Sequence, residues 1–390
     1  MMNTRRAAFV LGVLVTALLV SLPGVVSAQT RAQLTGRAIL PSNYLNDGPP
    51  AGVALGKGAL INGVKIPFDS QPVGSITAIL PGAYPGTWVA LTSGQFGGQS
   101  SADFQLRIYV FELSFRRVGS GTGEVVQLDR QILADPNGYV SKPLVNGDSK
   151  TRYLTGADFS PRAMSRVGNS YWVAEEMTPA LLRFDAYGKL LEPPIALDGG
   201  RLQGMGVTPN ESALIIAQHN GGRGITFRAF NLTTRSFEAL ATTYNLDRDA
   251  DQVGGMTMIN NDEAMIIELD SGENRRAAFK KVFLINLRNG SSAKTPLADL
   301  LNVEDPNGIA VDPIFNNARD AFGLSNPFKY PYRSIAAIYP SDEQSIVIAN
   351  NNLVPYGLGR SASTADGTEY IQVQLTQPIS VDPAFLRPLR

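Results

Sequence analysis

The chain has 390 residues, 44% of them apolar and 17% charged, with 34 basic side chains balanced by 34 acidic ones. That length suits one large β domain or two ordinary ones, and the neutral balance gives no electrostatic footprint for nucleic acid or an anionic membrane. With no cysteine, a disulfide framework, a zinc–thiolate site, a cysteine nucleophile and a lipidated-cysteine anchor are excluded; with His219 as the one histidine, so is any mechanism needing two.

Residues 1–28 carry the three-part pattern of an export signal. Arg5 and Arg6 give a positive start, and Ala7 to Val20 is apolar apart from Gly12 and Thr16. Pro23 and Gly24 break the run, and Val26-Ser27-Ala28 offers small residues for cleavage. The expected mature start is Gln29, in a secreted or periplasmic setting. An uncleaved anchor is the competing reading, since residues 7–28 are long enough to span a bilayer. Thr4 to Phe9 resembles a twin-arginine signal with its Phe one place late, so the general export route is favoured. No later stretch is long and apolar enough to span.

Residues 29–70 are rich in Gly, Pro and Asn and read as an irregular N-terminal arm or irregular first strand, ahead of a β domain over 71–390. Strand-like runs then dominate. Leu106 to Leu113, Glu124 to Leu128 and Ile371 to Leu375 alternate at period two, the mark of a strand with one buried face. Gly119 to Glu124 (G-S-G-T-G-E) has the look of a phosphate loop but leads into a strand, so it reads as a hairpin turn. Helical periodicity is scarce; the best candidate is Pro296 to Val303, after a strand over Lys281 to Leu287.

One local pattern recurs: a short apolar strand, a polar turn, a second apolar strand, then small or acidic residues. It occurs over Ile76–Ser93, Ala163–Glu176, Met205–Gln218, Met256–Asp270 and Ile335–Asn350, with second strands centred near Trp88, Trp172, Ile215, Ile266 and Val347. The intervals of 84, 43, 51 and 81 residues sit near one or two multiples of about 42, a propeller-blade repeat. A lone four-stranded blade cannot bury both faces, whereas a ring of blades can. The expected fold is therefore an all-β propeller of six or seven blades; a β-sandwich of ordinary hairpins is the alternative.

From about residue 73 onward the chain also resembles the bacterial phytase-like family, named for an esterase-like activity of phytase. The resemblance rests on ordered blocks. Leu154-Thr155-Gly156-Ala157-Asp158-Phe159 precedes Tyr171-Trp172-Val173-Ala174-Glu175-Glu176-Met177-Thr178-Pro179 and then Leu182 to Leu191. Gly204-Met205-Gly206-Val207-Thr208-Pro209-Asn210 and Phe279 to Leu287 follow. Ala349-Asn350-Asn351-Asn352, Gly359-Arg360 and Thr368-Glu369-Tyr370-Ile371 complete the series. The resemblance implies a propeller, secretion, and metal-assisted hydrolysis of phosphate or carboxylic esters with calcium as the cofactor. It also marks departures: the family often has an acid where this chain has Ser93, Ser160, Arg162, Gln203, Gln218, Gly255, Ala336, Ala337 and Asn351. A calcium site needs several carboxylate or carbonyl oxygens, so those changes would weaken one.

The surviving acids are the candidate chemistry. Glu175 and Glu268 are the candidate catalytic carboxylates, and Glu176, Asp270 and Asp158 the candidate metal ligands. Glu175-Glu176 follows an apolar strand, where adjacent residues point to opposite faces. Glu268 and Asp270, two apart, would share a face and suit a common cation or acid–base pair; salt bridges to Arg275 or Arg276 are the plainer reading. Asp158 after a Gly-Ala turn could equally cap backbone amides. Arg360, Asn350 and Asn352 are candidate substrate-binding groups, although Arg360 could instead pair with Glu369. His219 at a strand end has no nucleophile motif around it. Two functions fit: a phytase-like ester hydrolase with a partly lost acidic site, acting on a small-molecule ester in the channel, or a non-catalytic propeller that binds a ligand or protein. Three converging carboxylates in the channel would favour the first; a lining of Gln, Asn and aromatics would favour the second.

Overall fold

The computed structural model describes residues 31–93, 101–288, 293–311 and 322–388; the expected export signal lies outside the described residues. The chain opens with β1 (Gln33–Leu40), whose Leu34, Ala38 and Leu40 are fully buried. Next, β2 (Leu45–Asn46), β3 (Ala59–Ile61), β4 (Val64–Ile66) and β5 (Gln71–Pro72) form two short ladders, β2 with β5 and β3 with β4.

From Ile76 one unit repeats. The first sheet is β6 (Ile76–Pro81), β7 (Thr87–Thr92), β8 (Arg107–Leu113) and β9 (Val125–Ile132). The second is β10 (Pro161–Val167), β11 (Ser170–Glu175), β12 (Ala180–Asp185) and β13 (Ile195–Ala196). The third is β14 (Arg201–Val207), β15 (Ala213–His219), β16 (Gly224–Asn231) and β17 (Ser236–Asn245). The fourth is β18 (Gln252–Met258), β19 (Glu263–Leu269), β20 (Lys280–Asn286) and β21 (Lys294–Asp299). The fifth holds β22 (Ile335–Pro340), β23 (Ser345–Asn350) and β24 (Thr368–Gln374), and β1 completes it by pairing antiparallel with β24.

The first strands of the five sheets pack in a closed cycle, β6 on β10, β10 on β14, β14 on β18, β18 on β22 and β22 back on β6. The protein is thus an all-β propeller of five blades. Inner strands are buried on both faces because a neighbouring blade lies on each side. All six residues of β7 are buried, whereas the outermost β9 is mostly exposed or half-buried. This is why the inner hairpins read as continuous apolar runs and the outer strands as weak alternation.

The expected six or seven blades are corrected to five. The five recurring hairpins are the inner hairpins of these five blades, one each. Among the described residues the two wide intervals hold no further blade: residues 133–160 lie between β9 and β10, and residues 300–311 and 322–334 lie between β21 and β22. The helix expected over Pro296 to Val303 is also corrected. Residues Lys294–Asp299 are β21, the outer edge of the fourth blade, where a proline costs no ladder bond on the solvent side. Within the segment 29–70, β1 belongs to the fifth blade. The glycine-rich stretch Gly119 to Glu124 is the β8–β9 turn, with Gly119, Gly121 and Gly123 all at positive φ.

Candidate functional site

Each inner strand slips register against its partner at one equivalent place: between Ile76 and Ala78, Pro161 and Ala163, Leu202 and Gly204, Val253 and Met256, and Ile335 and Ala337. Such bulges re-aim side chains. The displaced residues Thr77, Arg162, Gln203, Gly255 and Ala336 all line one cavity of about 400 Å³ on the propeller axis. The fourth and fifth blades meet too closely there for a side chain. A Cβ on Gly254 would lie 2.1 Å from the Ile335 carbonyl oxygen, and one on Gly255 would lie 2.5 Å from that of Ala336.

The ring is cross-linked through the channel. Thr77 Oγ1 donates to the Arg162 carbonyl at 2.9 Å, and Arg162 Nη2 donates to the Val253 carbonyl at 2.6 Å. The Val253 amide donates to Gln203 Oε1 at 3.2 Å. Arg162 is 7% exposed and its Nε has no hydrogen-bond partner. Burial lowers its pKa, opposed by the charge of Glu176. Met164, Met205, Met256, Ile79 and Ile338 add an apolar lining, joined by Phe385, edge-on to Tyr339.

The candidate catalytic acids sit at ends of second strands, each held by its own partners. Glu175 accepts backbone amides from Ser160, Met177 and Thr178 at 3.2, 3.0 and 2.6 Å. Burial raises its pKa, and those amides partly offset the rise. Glu176 accepts the Ser160 hydroxyl at 3.2 Å. Glu268 accepts the Tyr244 hydroxyl, the Lys294 ammonium and the Asp247 amide. Asp270 lies one residue past the end of β19 and takes the buried Lys280 ammonium at 2.5 Å. Glu268 and Asp270 therefore have separate lysines, and Arg275 and Arg276 are not their partners. Asp158 caps a turn, accepting from the Thr155 amide and hydroxyl and from the Val145 amide. Among the described residues, no three His, Asp or Glu side chains are grouped to hold a metal ion.

The polar candidates near the C-terminal end are structural in their contacts. Asn350 accepts from the Glu369 amide at 2.6 Å and donates to the Gly367 carbonyl at 3.1 Å. Asn352 accepts from the Ser75 amide at 2.6 Å and donates to the Asp366 carbonyl, joining the fifth blade to the start of the first. Arg360 is paired with Glu369 and also donates to the Phe322 and Lys329 carbonyls. His219 Nε2 lies 2.9 Å from the Gly222 carbonyl oxygen, in its own turn.

None of the eight candidate residues is in the lining of this cavity. Sequence reasoning reached the ring only indirectly: Arg162, Gln203, Gly255 and Ala336 were visible as departures from a family pattern. The available signal was positional, since each stands at the same point of its hairpin repeat.

A family model, phytase-like (esterase-like activity of phytase), matches residues 71–326. Among solved structures, a luciferin-regenerating enzyme aligns at 10% identity and a TM-score of 0.37, over 80% of this chain and 82% of that one. TolB from Acinetobacter baumannii aligns at 13% identity and a TM-score of 0.34, over 79% of this chain and 59% of that one. No curated protein matches the chain.

Proposed function

The chain belongs to the phytase-like family (esterase-like activity of phytase), and from that premise we propose that it is a secreted or periplasmic propeller that binds a small ligand in its central channel without hydrolysing it. The observation that carries this reading is the chemistry of the lining. The lining holds three arginines, Arg162, Arg166 and Arg387, and one acid, Glu211, and the five bulge positions carry Thr, Arg, Gln, Gly and Ala. A hard cation needs several anionic or carbonyl oxygens converging on it, and this donor set does not fit calcium. The nearby acids are instead consumed by backbone amides and lysines.

The competing reading is a calcium-dependent ester hydrolase. Its support is Glu175, whose pKa burial raises, as suits a general acid. One experiment separates the two. Thermal stability is followed with calcium and with chelator, alongside hydrolysis of a p-nitrophenyl phosphate and a p-nitrophenyl carboxylic ester. Channel binding predicts no calcium-dependent rise in Tm and no turnover sensitive to Glu175→Gln or Glu268→Gln. It also predicts small-molecule ligands whose stabilisation is lost in Ala336→Met, which adds bulk at a lining position. A calcium-dependent rise together with calcium-dependent turnover would overturn it.

A further inference from the structure

We propose that Arg162 is the head-group anchor of the channel and that the channel takes a small amphiphilic organic acid, a carboxylate on an apolar chain. The inference rests on the channel-binding reading above and names its ligand class.

The argument begins with what Arg162 lacks. A guanidinium has five donors in a fixed fork. Here one, Nη2, reaches the Val253 carbonyl, while Nε is buried and unpartnered. Among the described residues Arg162 makes no salt bridge, unlike the buried Arg37 and Arg360; Arg107 is also buried without one, but it is not in the lining of the cavity. An unpaired buried charge and an unsatisfied buried donor are both costly. A carboxylate entering the cavity would pair the charge through the guanidinium N–H groups that face it.

The space beside Arg162 is available for such a ligand. Ala336 at the same level carries only a methyl group, and the cavity of about 400 Å³ falls within the usual range for ligand pockets. Lining residues on β10 run from Arg162 to Arg166, so the channel extends about 13 Å along that strand at ~3.3 Å per residue. Below the arginine level Met164, Met205, Met256, Ile79 and Ile338 form an apolar belt, with Arg166, Arg387 and Glu211 in the lining beyond it. Methionine adapts to irregular apolar surfaces, so this wall suits a flexible hydrocarbon chain better than a rigid polar ring. A charged head at one level with an apolar body beyond it describes an amphiphile. Inorganic phosphate would satisfy Arg162 but leave the apolar wall uncovered.

Calorimetric titration of the whole purified protein tests this with three probes: octanoate, octanol and inorganic phosphate. Octanoate is expected to bind, with octanol and phosphate each weaker by at least about tenfold, the scale of a hydrogen bond to a charged group. Arg162→Gln is expected to weaken octanoate by at least about tenfold, and Arg162→Lys, which keeps the charge without the fork, by less. Should both variants fail to fold, the wild-type contrast between octanoate and octanol, with loss of octanoate binding in Ala336→Met, carries the test. Octanol binding as tightly as octanoate, a folded Arg162→Gln that binds octanoate unchanged, or no octanoate binding at millimolar concentration would overturn the proposal. If another small molecule binds wild type but not Ala336→Met while octanoate fails, this ligand class falls and the channel-binding reading stands.

Discussion

Arg360 grips both carboxylate oxygens of Glu369: its Nη2 lies 2.8 Å from Oε1 and its Nε 3.0 Å from Oε2. Arg37 of β1 adds its Nε at 2.9 Å from Oε1, and the Tyr332 hydroxyl donates to Oε2 at 2.5 Å. Glu369 stands on β24, so one buried carboxylate fastens the strand that closes the ring, the neighbouring strand and the loop after β23.

Glu369→Gln should therefore destabilise the fold strongly. It leaves two buried guanidiniums without their counter-charge, and breaking a buried pair by removing one partner costs about 3–5 kcal/mol. Denaturant unfolding of the two proteins measures this; a change within about 0.5 kcal/mol, as for an ordinary surface substitution, would refute the assignment.

The same residue predicts an acid-side transition. Burial alone would raise Glu369, but the charges of Arg360 and Arg37 outweigh it and hold the carboxyl at about 2 against an ordinary 4.5. Its contribution is present above pH 4.5 and is lost as pH falls toward 2. Asp366 works the other way. Burial raises it to about 7 from 3.8, despite the amides of Arg360 and Gly359. The folded state holds that proton more tightly, so Asp366 costs stability as pH rises from about 4 through 7. Urea midpoints against pH should show the acid-side loss reduced in Glu369→Gln and the neutral-side decline flattened in Asp366→Asn.

Removal of residues up to Leu40 should open the ring. It strips the fifth blade of its outer strand, exposes the edge of β24 and uncovers the contacts of Leu34, Ala38 and Leu40. The shortened protein should melt at lower temperature and associate through the exposed edge. A synthetic peptide with the sequence Gln33–Leu40 should restore stability in a concentration-dependent way, read by thermal unfolding.

Glu268→Gln should cost stability through Lys294 and the Asp247 amide. Hydrogen bonds to charged groups contribute roughly 1.5–3 kcal/mol, and a loss on that scale in denaturant unfolding is expected. An unchanged midpoint would show that the carboxylate is not the structural centre that its three donors make it.

The propeller was legible because its inner hairpins are local. Trp88, Trp172, Ile215, Ile266 and Val347 each lie in a different second strand, and short apolar runs around polar turns record that directly. The blade number was not, because a long interval in sequence looks alike whether it holds a blade or a folded connection. The partners of the candidate acids were hidden for a related reason. Glu268 and Asp270 are two apart, but Asp270 is beyond the strand end, and Lys294 and Lys280 reach them through ladder register that no local pattern encodes. The pairing of Arg360 with Glu369, nine residues apart, was short-range enough to be anticipated. Its second partner Arg37, 332 residues away, was not.

Thr35 donates across the closing ladder to Gln372, 337 residues further along the chain. A ribosome delivers β1 long before β24, so β1 waits without its partner while the intervening four blades are made. During that time it is an apolar strand with two open edges, the kind of segment that pairs with wrong neighbours. Arg37 sits in its middle, and a charge inside an unpaired strand discourages such pairing. The guanidinium that later clasps Glu369 thus also guards the strand during its wait, and the ring can lock only when synthesis has reached its last blade.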